Sequence, residues 1–461
     1  MRLKLSFNRL LCLEPKSNFI VGDKKIIEES IMQRTKNVKG EKMLQRANQL
    51  NSSWAYKLEE IPHSNSLHLL DNVQFIYELA LAQLELQSLG AKFEVTNGLR
   101  EFKLLYTDDE EKLIKRVAYF KFVNGKSTDY YQIIQNNRTR SVNQYLTHWI
   151  YPYKGKFHPQ MIRALLNIIG LEPGETVLDP FIGSGTTAVE AQLLGINCIG
   201  IDISPLCVLQ SRVKTESIYV LQEISYWKER IKKSLLPALF NFEGKKVNDV
   251  IDLIHDEKVR NFYMMAKLVA ISDNARRKRE FSNAFIRNLD LMISSVSDYV
   301  ETINKLGLKL GKTEIMVGNS RDLLLPKESI DGIITSPPYS IALDYVSNDA
   351  HALNELGYNL LEIREAFIGV RGKGQARINL YNEDMKRTLE EMLRVLKPKK
   401  YAVIIIGNAT YNGEEIKTVE FVIEYAEKIG FKVIKNIDKI IFGLYNIMQK
   451  ENIIILQKEK S

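Results

Sequence analysis

Cysteine is scarce in this sequence. Its 461 residues include three cysteines, Cys12, Cys198 and Cys207, at scattered positions. Three scattered cysteines are too few for a disulfide framework or for a closed zinc site. The sequence therefore predicts neither a disulfide-stabilised scaffold nor a bound metal.

Long hydrophobic runs are also missing. No apolar stretch approaches the roughly 20 residues that a membrane-spanning helix needs. The first residues, Met-Arg-Leu-Lys-Leu-Ser-Phe, alternate like a strand and lack the continuous apolar core of a signal peptide. The sequence thus predicts no membrane partner and a cytoplasmic location.

Acidic residues are outnumbered by basic ones, 56 against 64, which gives a formal net charge of +8. This excess is compatible with a polyanionic partner and equally with a Lys-rich surface. The length predicts two or three domains. Changes in the pattern of apolar and charged residues divide the chain into four regions, 1–140, 141–205, 206–312 and 313–461. The first is predicted to be an N-terminal accessory region and a candidate nucleic-acid-binding domain.

The second and fourth regions alternate strands with helices, whereas residues 206–312 form an almost continuously helical insert. Alternation of this kind predicts an α/β sheet with crossover helices. In the accessory region, apolar residues at three- and four-residue steps predict a helix over Asn72–Leu89. The predicted crossover helices are Asn382–Leu396 and Ile416–Ile429, and the predicted strands are Thr176–Leu178, Cys198–Ile201, Glu314–Val317, Gly332–Thr335, Tyr401–Ile406 and Ile453–Leu456.

The first sheet strand runs into a glycine-rich turn, Asp179-Pro-Phe-Ile-Gly-Ser-Gly-Thr-Thr. Glycines at this point let the backbone approach a ligand closely, at the sheet edge where open parallel sheets bind ligands. The next strand ends in Asp202, and a carboxylate at this offset can accept both hydroxyl hydrogens of an adenosine ribose. The pattern predicts a site for an adenosine-containing cofactor in a Rossmann-like sheet.

This turn resembles the cofactor motif of the amino-group DNA methyltransferases, which act on cytosine N4 or adenine N6. The resemblance covers about 145–205 and 314–458 and implies a Rossmann-like methyltransferase fold that uses S-adenosylmethionine. It implies that Asp202 holds the ribose and that the methionine end lies among Asp179, Phe181, Gly183, Ser184, Gly185 and Thr186. His158 belongs to a segment that resembles the family's lead-in motif, and Asn319 and Asp322 are candidates for the adenine ring.

The strand Gly332–Thr335 runs into Ser336-Pro337-Pro338-Tyr339. Consecutive prolines remove amide donors and leave carbonyl oxygens free to accept hydrogen bonds. An exocyclic amine needs such acceptors, because its lone pair is delocalised into the ring. The residues predict that the Ser336 hydroxyl and the Pro337 carbonyl accept from the amine while Tyr339 stacks on a base that has left the duplex.

The same tetrapeptide resembles the family's catalytic motif, in which cytosine-N4 enzymes usually begin with Ser and adenine-N6 enzymes with Asp or Asn. The resemblance therefore favours cytosine N4 in DNA, as in a restriction-modification system. Methylation at carbon five is disfavoured, because it needs a cysteine directly after a proline, and no cysteine here follows one.

Three alternatives remain open. The first is methylation of adenine N6 in DNA. A weaker resemblance to tRNA guanine-N2 methyltransferases, around Tyr77–Leu86 and in the Pro-Pro-Tyr segment, would make RNA the substrate. The third is a non-catalytic nucleic-acid-binding module on the same scaffold. Whichever holds, the candidate phosphate contacts are Arg276, Arg277, Lys278 and Arg279 in the insert and Arg371, Lys373 and Arg377 in the glycine-rich loop Gly369–Arg377.

Overall fold

The computed structural model describes residues 65–135, 143–153, 155–235, 244–340, 344–442 and 448–459. All of them belong to one compact unit within residues 62–461. The predicted N-terminal strand and the basic segment near it lie outside the described residues. The predicted four-part division of the chain stays a prediction.

A mixed seven-stranded sheet forms the centre of the fold, in the order β13-β14-β10-β9-β6-β7-β8. Strands β6 to β10 pair in parallel, whereas β14 runs antiparallel to both β10 and β13. The expectation of a parallel sheet is therefore wrong for β14, because a short connection after β13 reverses the chain. The strands are β6 (Thr176–Asp179), β7 (Asn197–Asp202), β8 (Thr313–Val317), β9 (Ile330–Thr335), β10 (Leu396–Ile406), β13 (Phe431–Phe442) and β14 (Met448–Lys458).

The six predicted strands are confirmed to within a few residues at most ends, and β13 is an addition to them. Its sequence, Phe-Lys-Val-Ile-Lys-Asn-Ile-Asp-Lys-Ile-Ile-Phe, mixes apolar and polar residues because much of it lies on exposed surface. The central strands β9 and β10 instead carry continuous buried apolar runs, such as Ala402–Ile406. Buried strands are thus the easier ones to recognise.

An antiparallel five-stranded sheet, in the order β2-β3-β1-β4-β5, precedes the central one. Its helix α1 (Ile76–Ser88) confirms the helix predicted over Asn72–Leu89 and packs against α4 (Pro159–Ile168). The buried Glu85 carboxylate joins the two parts by accepting from the Asn167 amide at 2.7 Å. This region comprises β1 (Ser66–Leu69), β2 (Lys92–Thr96), β3 (Glu101–Tyr106), α2 (Glu110–Arg116), β4 (Phe120–Val123), β5 (Lys126–Ser127) and α3 (Asp129–Gln135).

The insert between β7 and β8 is helical, as predicted. Its longest member, α10, begins after Glu280, whose carboxylate accepts from two backbone amides of the first turn. The described helices of the insert are α6 (Pro205–Glu216), α7 (Leu221–Leu235), α8 (Gly244–Ile251), α9 (Glu257–Arg277) and α10 (Phe281–Leu306). Helix α5 (Thr186–Leu193) lies before it, between β6 and β7.

One predicted boundary is corrected. Helix α14 spans Gly374–Val395 and so begins eight residues before the predicted start at Asn382. The last four residues of the predicted loop Gly369–Arg377 are therefore helical. The remaining elements are α11 (Tyr345–Asn348), α12 (Ala350–Glu355), α13 (Leu360–Ala366), β11 (Ala409–Tyr411), β12 (Glu414–Ile416) and α15 (Thr418–Ile429).

Candidate active site

A cavity of about 1210 Å³ opens at the carboxyl ends of the parallel strands. This is the edge at which open α/β sheets bind ligands. Residues from both predicted motifs line it, together with parts of β10, β13 and β14. From the predicted set, the lining includes Phe181, Gly183, Ser184, Asp202, Asn319, Ser336, Pro337, Pro338 and Tyr339.

The glycine-rich turn has the backbone conformation that the sequence predicted. Gly183 and Gly185 have φ angles of +47° and +77°, in the left-handed region that favours glycine. A Cβ on Gly185 would lie 2.7 Å from the Ser211 hydroxyl oxygen, so this glycine also permits close packing against α6. Gly183 faces the cavity, whereas Gly185 and Thr186 lie outside its lining. The turn thus presents bare backbone to a ligand.

Asp202 lies at the end of β7 and is 8% exposed. One carboxylate oxygen accepts from the Gly183 amide and the other from the Ser204 amide, each at 2.9 Å. Burial raises the pKa of Asp202 to about 6. The Cys207 side chain and the Ile203 amide also donate to this carboxylate, so hydroxyl donors from the cavity would share oxygens that are already hydrogen-bonded.

Asp179 is fully buried and lies behind the cavity wall. Its carboxylate accepts from the Thr187 hydroxyl at 2.7 Å, from the Phe181 amide at 3.1 Å and from the Thr335 hydroxyl at 2.7 Å. Thr335 directly precedes the Ser-Pro-Pro-Tyr segment. Asp179 therefore fixes the end of β9 to the glycine-rich turn, and its predicted contact with a cofactor stays a prediction.

One buried and one half-buried lysine lie near the turn. The Lys214 ammonium, on α6, donates to the Ser184 carbonyl at 2.6 Å. Lys156 lines the cavity and donates to the His148 carbonyl at 2.6 Å. Burial lowers the pKa of Lys156 to about 7, and burial together with the Lys156 charge lowers the pKa of Lys214. A bound anion in this part of the cavity would offset the desolvation cost of the two lysine charges.

Three other predicted site residues either lie outside the cavity lining or have a side chain that is already hydrogen-bonded to the protein. His158 precedes α4 and lies outside the cavity lining, and burial lowers its pKa to about 4, so its imidazole is neutral at pH 7. Asn319 lines the cavity, but its side-chain oxygen accepts from the Arg321 backbone and guanidinium. Asp322 pairs with Asn319 through the backbone and lies outside the lining.

The Ser336–Tyr339 tetrapeptide leaves β9 and lines the cavity with all four residues. The Tyr339 hydroxyl donates to Glu451 on β14, and burial followed by the charge of Glu451 raises the pKa of Tyr339 above its usual value. Gly369 packs on this segment, since a Cβ there would lie 2.8 Å from the Tyr339 carbonyl oxygen. The segment thus contacts Glu451 of β14 through the Tyr339 side chain and Gly369 through the Tyr339 backbone.

Several lining residues were missed from the sequence. Tyr153, Tyr345 and Phe367 add aromatic surface, and Asn408 follows β10. The hairpin of β13 and β14 adds a polar wall of Asn436, Asp438, Lys439, Lys450, Glu451 and Asn452. No local sequence motif marks the hairpin residues, because only strand pairing brings them to the cavity. The mixture of apolar and polar residues in β13 was the one sequence feature that could have indicated a strand there.

The candidate phosphate contacts differ in their surroundings. Arg277 and Arg279 both pair with Asp273, whereas Arg276 reaches the Pro152 carbonyl and Lys278 ends helix α9. In the other group, Arg371 pairs with buried Asp384, and the Arg377 side chain donates to the Gly369 carbonyl. Lys373 precedes α14. None of these seven lines the cavity.

Comparison with known families agrees with this geometry. A DNA methylase family model matches residues 10–211, and the RMKL-like methyltransferase domain model matches residues 150–405, more than half of the chain. The chain belongs to the RMKL-like methyltransferase family. Membership confirms the predicted Rossmann-like methyltransferase fold, the resemblance to amino-group methyltransferases and S-adenosylmethionine as the cofactor.

The individual relatives include type II methyltransferases and a tRNA methyltransferase. The type II methyltransferase M.BsoBI of Geobacillus stearothermophilus is 27% identical over 313 residues, which cover 56% of this chain and 60% of that protein. M.MvaI of Kocuria varians, also a type II methyltransferase, is 22% identical over 414 residues, or 70% and 88% of the two chains. The tRNA (guanine(10)-N2)-dimethyltransferase of Methanocaldococcus jannaschii is 31% identical over 109 residues, or 24% and 28%.

Within the described residues, no cluster of three or more His, Cys, Asp or Glu side chains is arranged to hold a metal ion. None of the helices described is long and apolar enough to cross a membrane.

Proposed function

We propose that this methyltransferase modifies an exocyclic amino nitrogen of a nucleic-acid base, and that the base is cytosine in DNA, methylated at N4. The observation that carries the proposal is that Ser336–Tyr339 and the turn with Gly183 line one cavity. Asp179 ties the two segments together through Thr335 and Phe181. Reacting groups bound on either side would therefore face each other.

The cavity residues fit S-adenosylmethionine. Asp202 lines the cavity at the end of β7, where its carboxylate would accept from the ribose hydroxyls, and the Lys156 ammonium offers a charge partner to the carboxylate of the methionine end. A Cβ on residue 183 would lie 3.3 Å from the Tyr153 ring and fill the space between them. Because Gly183 has no Cβ, the backbone leaves room for the cofactor to approach closely. When bound, the cofactor supplies a methyl group on a positively charged sulfur.

The tetrapeptide supplies acceptors and a ring. The Ser336 hydroxyl and the Pro337 carbonyl accept from the two amine hydrogens, which draws the nitrogen lone pair out of conjugation. Tyr339 stacks on the base once it has left the duplex, at an unstacking cost of a few kcal/mol. With no covalent intermediate required, the main contribution of these residues to the rate is alignment of the reacting atoms.

The identity of Ser336 supports cytosine N4, through the family pattern in which adenine-N6 enzymes carry Asp or Asn. The two cysteines in the described part of the chain, Cys198 and Cys207, are buried outside the cavity lining, which argues against methylation at carbon five. The similarity to tRNA guanine-N2 enzymes makes RNA the second candidate substrate.

Labelled S-adenosylmethionine tests the proposal. The purified chain is incubated with the labelled cofactor and either genomic DNA or bulk tRNA, and label in the polymer is counted. We expect label in DNA, a rate reduced at least tenfold in Ser336→Ala, and little change in Ser329→Ala, a serine before β9 that lies outside the cavity lining. Label in tRNA alone would favour the RNA candidate, and label in neither polymer would contradict the proposal.

A further inference from the structure

The Tyr339 hydroxyl is held by the hairpin on the far side of the cavity. It donates to one carboxylate oxygen of Glu451, and the other oxygen accepts from the Lys439 ammonium. Lys439 is 9% exposed, so this ion pair is well shielded from water. Glu451 therefore has one oxygen for the tyrosine and one for the lysine, an arrangement that fixes its orientation.

The backbone brings this pair to the tetrapeptide. Lys439 on β13 and Glu451 on β14 are directly paired in the antiparallel register. Pairing between β10 and β14 ends at Ile406 and Asn452, so Glu451 lies just beyond the end of β10. Gly407 permits this approach, because a Cβ there would lie 2.9 Å from the Lys450 carbonyl oxygen.

A second set of contacts stiffens the hairpin. The Asn452 amide donates to the Asn436 side-chain oxygen at 2.8 Å and to Asp438 at 3.0 Å. Asp438 also pairs with Lys450 at 3.1 Å. Cross-strand pairs of this kind stabilise an antiparallel ladder, so Glu451 projects from a wall that is itself fixed.

Stacking alone would not require this arrangement. A tyrosine ring can stack on any base and needs no partner for its hydroxyl. A hydrogen bond from that hydroxyl to a half-buried, ion-paired carboxylate restricts where the ring can lie. Side chains held by surrounding contacts keep a functional group in the productive geometry.

We propose that Glu451 and Lys439 are positioning residues that hold the Tyr339 ring as one wall of the target-base site. This inference rests on the proposed function. Glu451 acts through the tyrosine hydroxyl, so its contribution to turnover exists only while that hydroxyl is present. The hairpin of β13 and β14 is then part of the substrate-binding apparatus of this protein.

A double-mutant cycle tests the inference with wild type, Tyr339→Phe, Glu451→Ala and the double variant. The readouts are kcat and apparent KM for genomic DNA and the calorimetric Kd for the cofactor. We expect Glu451→Ala to lower kcat about tenfold in the wild-type background and less than twofold in Tyr339→Phe. Glu451→Gln, which still offers an oxygen to the hydroxyl, should recover part of the loss, and the cofactor Kd should stay the same.

The matched control is Glu459→Ala, an exposed acid just after β14, and it should retain wild-type kcat. Urea unfolding of each variant separates misfolding from mispositioning, and Glu451→Gln provides the folded comparison if Glu451→Ala is unstable. Equal losses on removing Glu451 in both backgrounds would overturn the inference while leaving the proposed function intact. A wild-type protein that labels neither DNA nor tRNA would instead overturn the proposed function, and this inference with it.

Discussion

The Thr335 hydroxyl donates a hydrogen bond of 2.7 Å to the buried Asp179 carboxylate. Thr335 ends β9 and Asp179 ends β6, two strands that already pair in the sheet, so this contact adds a side-chain link at their carboxyl ends, between the tetrapeptide and the glycine-rich turn. The two halves of the site are therefore aligned by a group that itself lies outside the cavity.

Thr335→Val should misalign these halves while preserving the shape of the side chain. Hydrogen bonds to charged groups contribute roughly 1.5–3 kcal/mol, so the free energy of unfolding should fall by about that amount. Turnover should fall more than cofactor affinity. Steady-state kinetics and urea unfolding measure both effects, with Thr313→Val at the opposite edge of the sheet as the control; an unchanged kcat would show that the bond stabilises the fold without aligning the site.

Asp202→Asn should weaken cofactor binding. Asn keeps one oxygen for a backbone amide but loses the charge that strengthens hydrogen bonds to the ribose. With about 1.4 kcal/mol per tenfold change, a loss of 1.5–3 kcal/mol corresponds to roughly ten- to a hundredfold in Kd. Calorimetric titration with S-adenosylmethionine measures this, and an affinity equal to wild type would remove Asp202 from the cofactor site.

Cofactor affinity should also depend on pH, with a maximum between pH 6 and 7. Below about pH 6 the Asp202 carboxylate becomes protonated and accepts fewer hydrogen bonds, and above about pH 7 Lys156 loses its charge. Because bound carboxylate favours charged Lys156, affinity falls as pH rises through 7, by up to about tenfold near pH 8. His148 and His158 do not contribute, since both have a pKa of about 4.

Lys156→Met isolates the alkaline limb of that profile. The variant should bind the cofactor more weakly at pH 6.5 and keep the acid limb, with no further loss above pH 7. The contribution of Lys156 to folding stability has the opposite pH dependence to its contribution to cofactor affinity. In wild type the unfolded lysine binds more protons than the folded one between about pH 7 and 10.5, so Lys156 makes stability rise with pH in that window. A wild-type affinity that stays constant from pH 7 to 8 would contradict the assignment.

Nucleic-acid affinity should depend on only part of the basic cluster. Arg277 and Arg279 are already paired with Asp273, whereas among the residues described here Arg276 and Lys278 have no acidic partner within ion-pair distance. Replacing Arg276 and Lys278 with Ser should reduce the slope of log affinity against log salt by about two, one for each phosphate contact. Filter binding over a salt series measures this, with Lys258→Ser at the other end of α9 as the control, and a slope equal to wild type would reduce the cluster to a solvated surface.

The sequence was sufficient to predict contiguous segments that line the cavity. Gly183, Asp202 and Ser336 were identified because a buried strand leads directly into each segment and fixes it at the carboxyl edge of the sheet. Asp179 belongs to the same motif, yet its carboxylate is used to join strands, a role visible only once Thr335 is beside it. Whether a motif residue faces the ligand or the core depends on side-chain direction, which the sequence does not specify.

Glu451 and Lys439 illustrate the other limit. They lie 112 and 100 residues after Tyr339 in sequence and reach it only through the register of β13 on β14 and the antiparallel docking of β14 on β10. A polar residue on an edge hairpin is most often a solvated one, so nothing local distinguishes this pair. Only the long-range pairing of the strands places Glu451 and Lys439 near Tyr339.

The chemical identity of the methylated nucleoside tests the central claim most directly. Genomic DNA modified by the purified protein is digested to nucleosides, which are separated and identified by mass spectrometry against authentic standards. We predict N4-methylcytosine, and we predict that the Tyr339→Ala protein forms about five- to 150-fold less of it, from a stacking loss of roughly 1–3 kcal/mol at about 1.4 kcal/mol per tenfold change. Methyl groups found only on carbon five of cytosine, or on no amino nitrogen of any base, would contradict it.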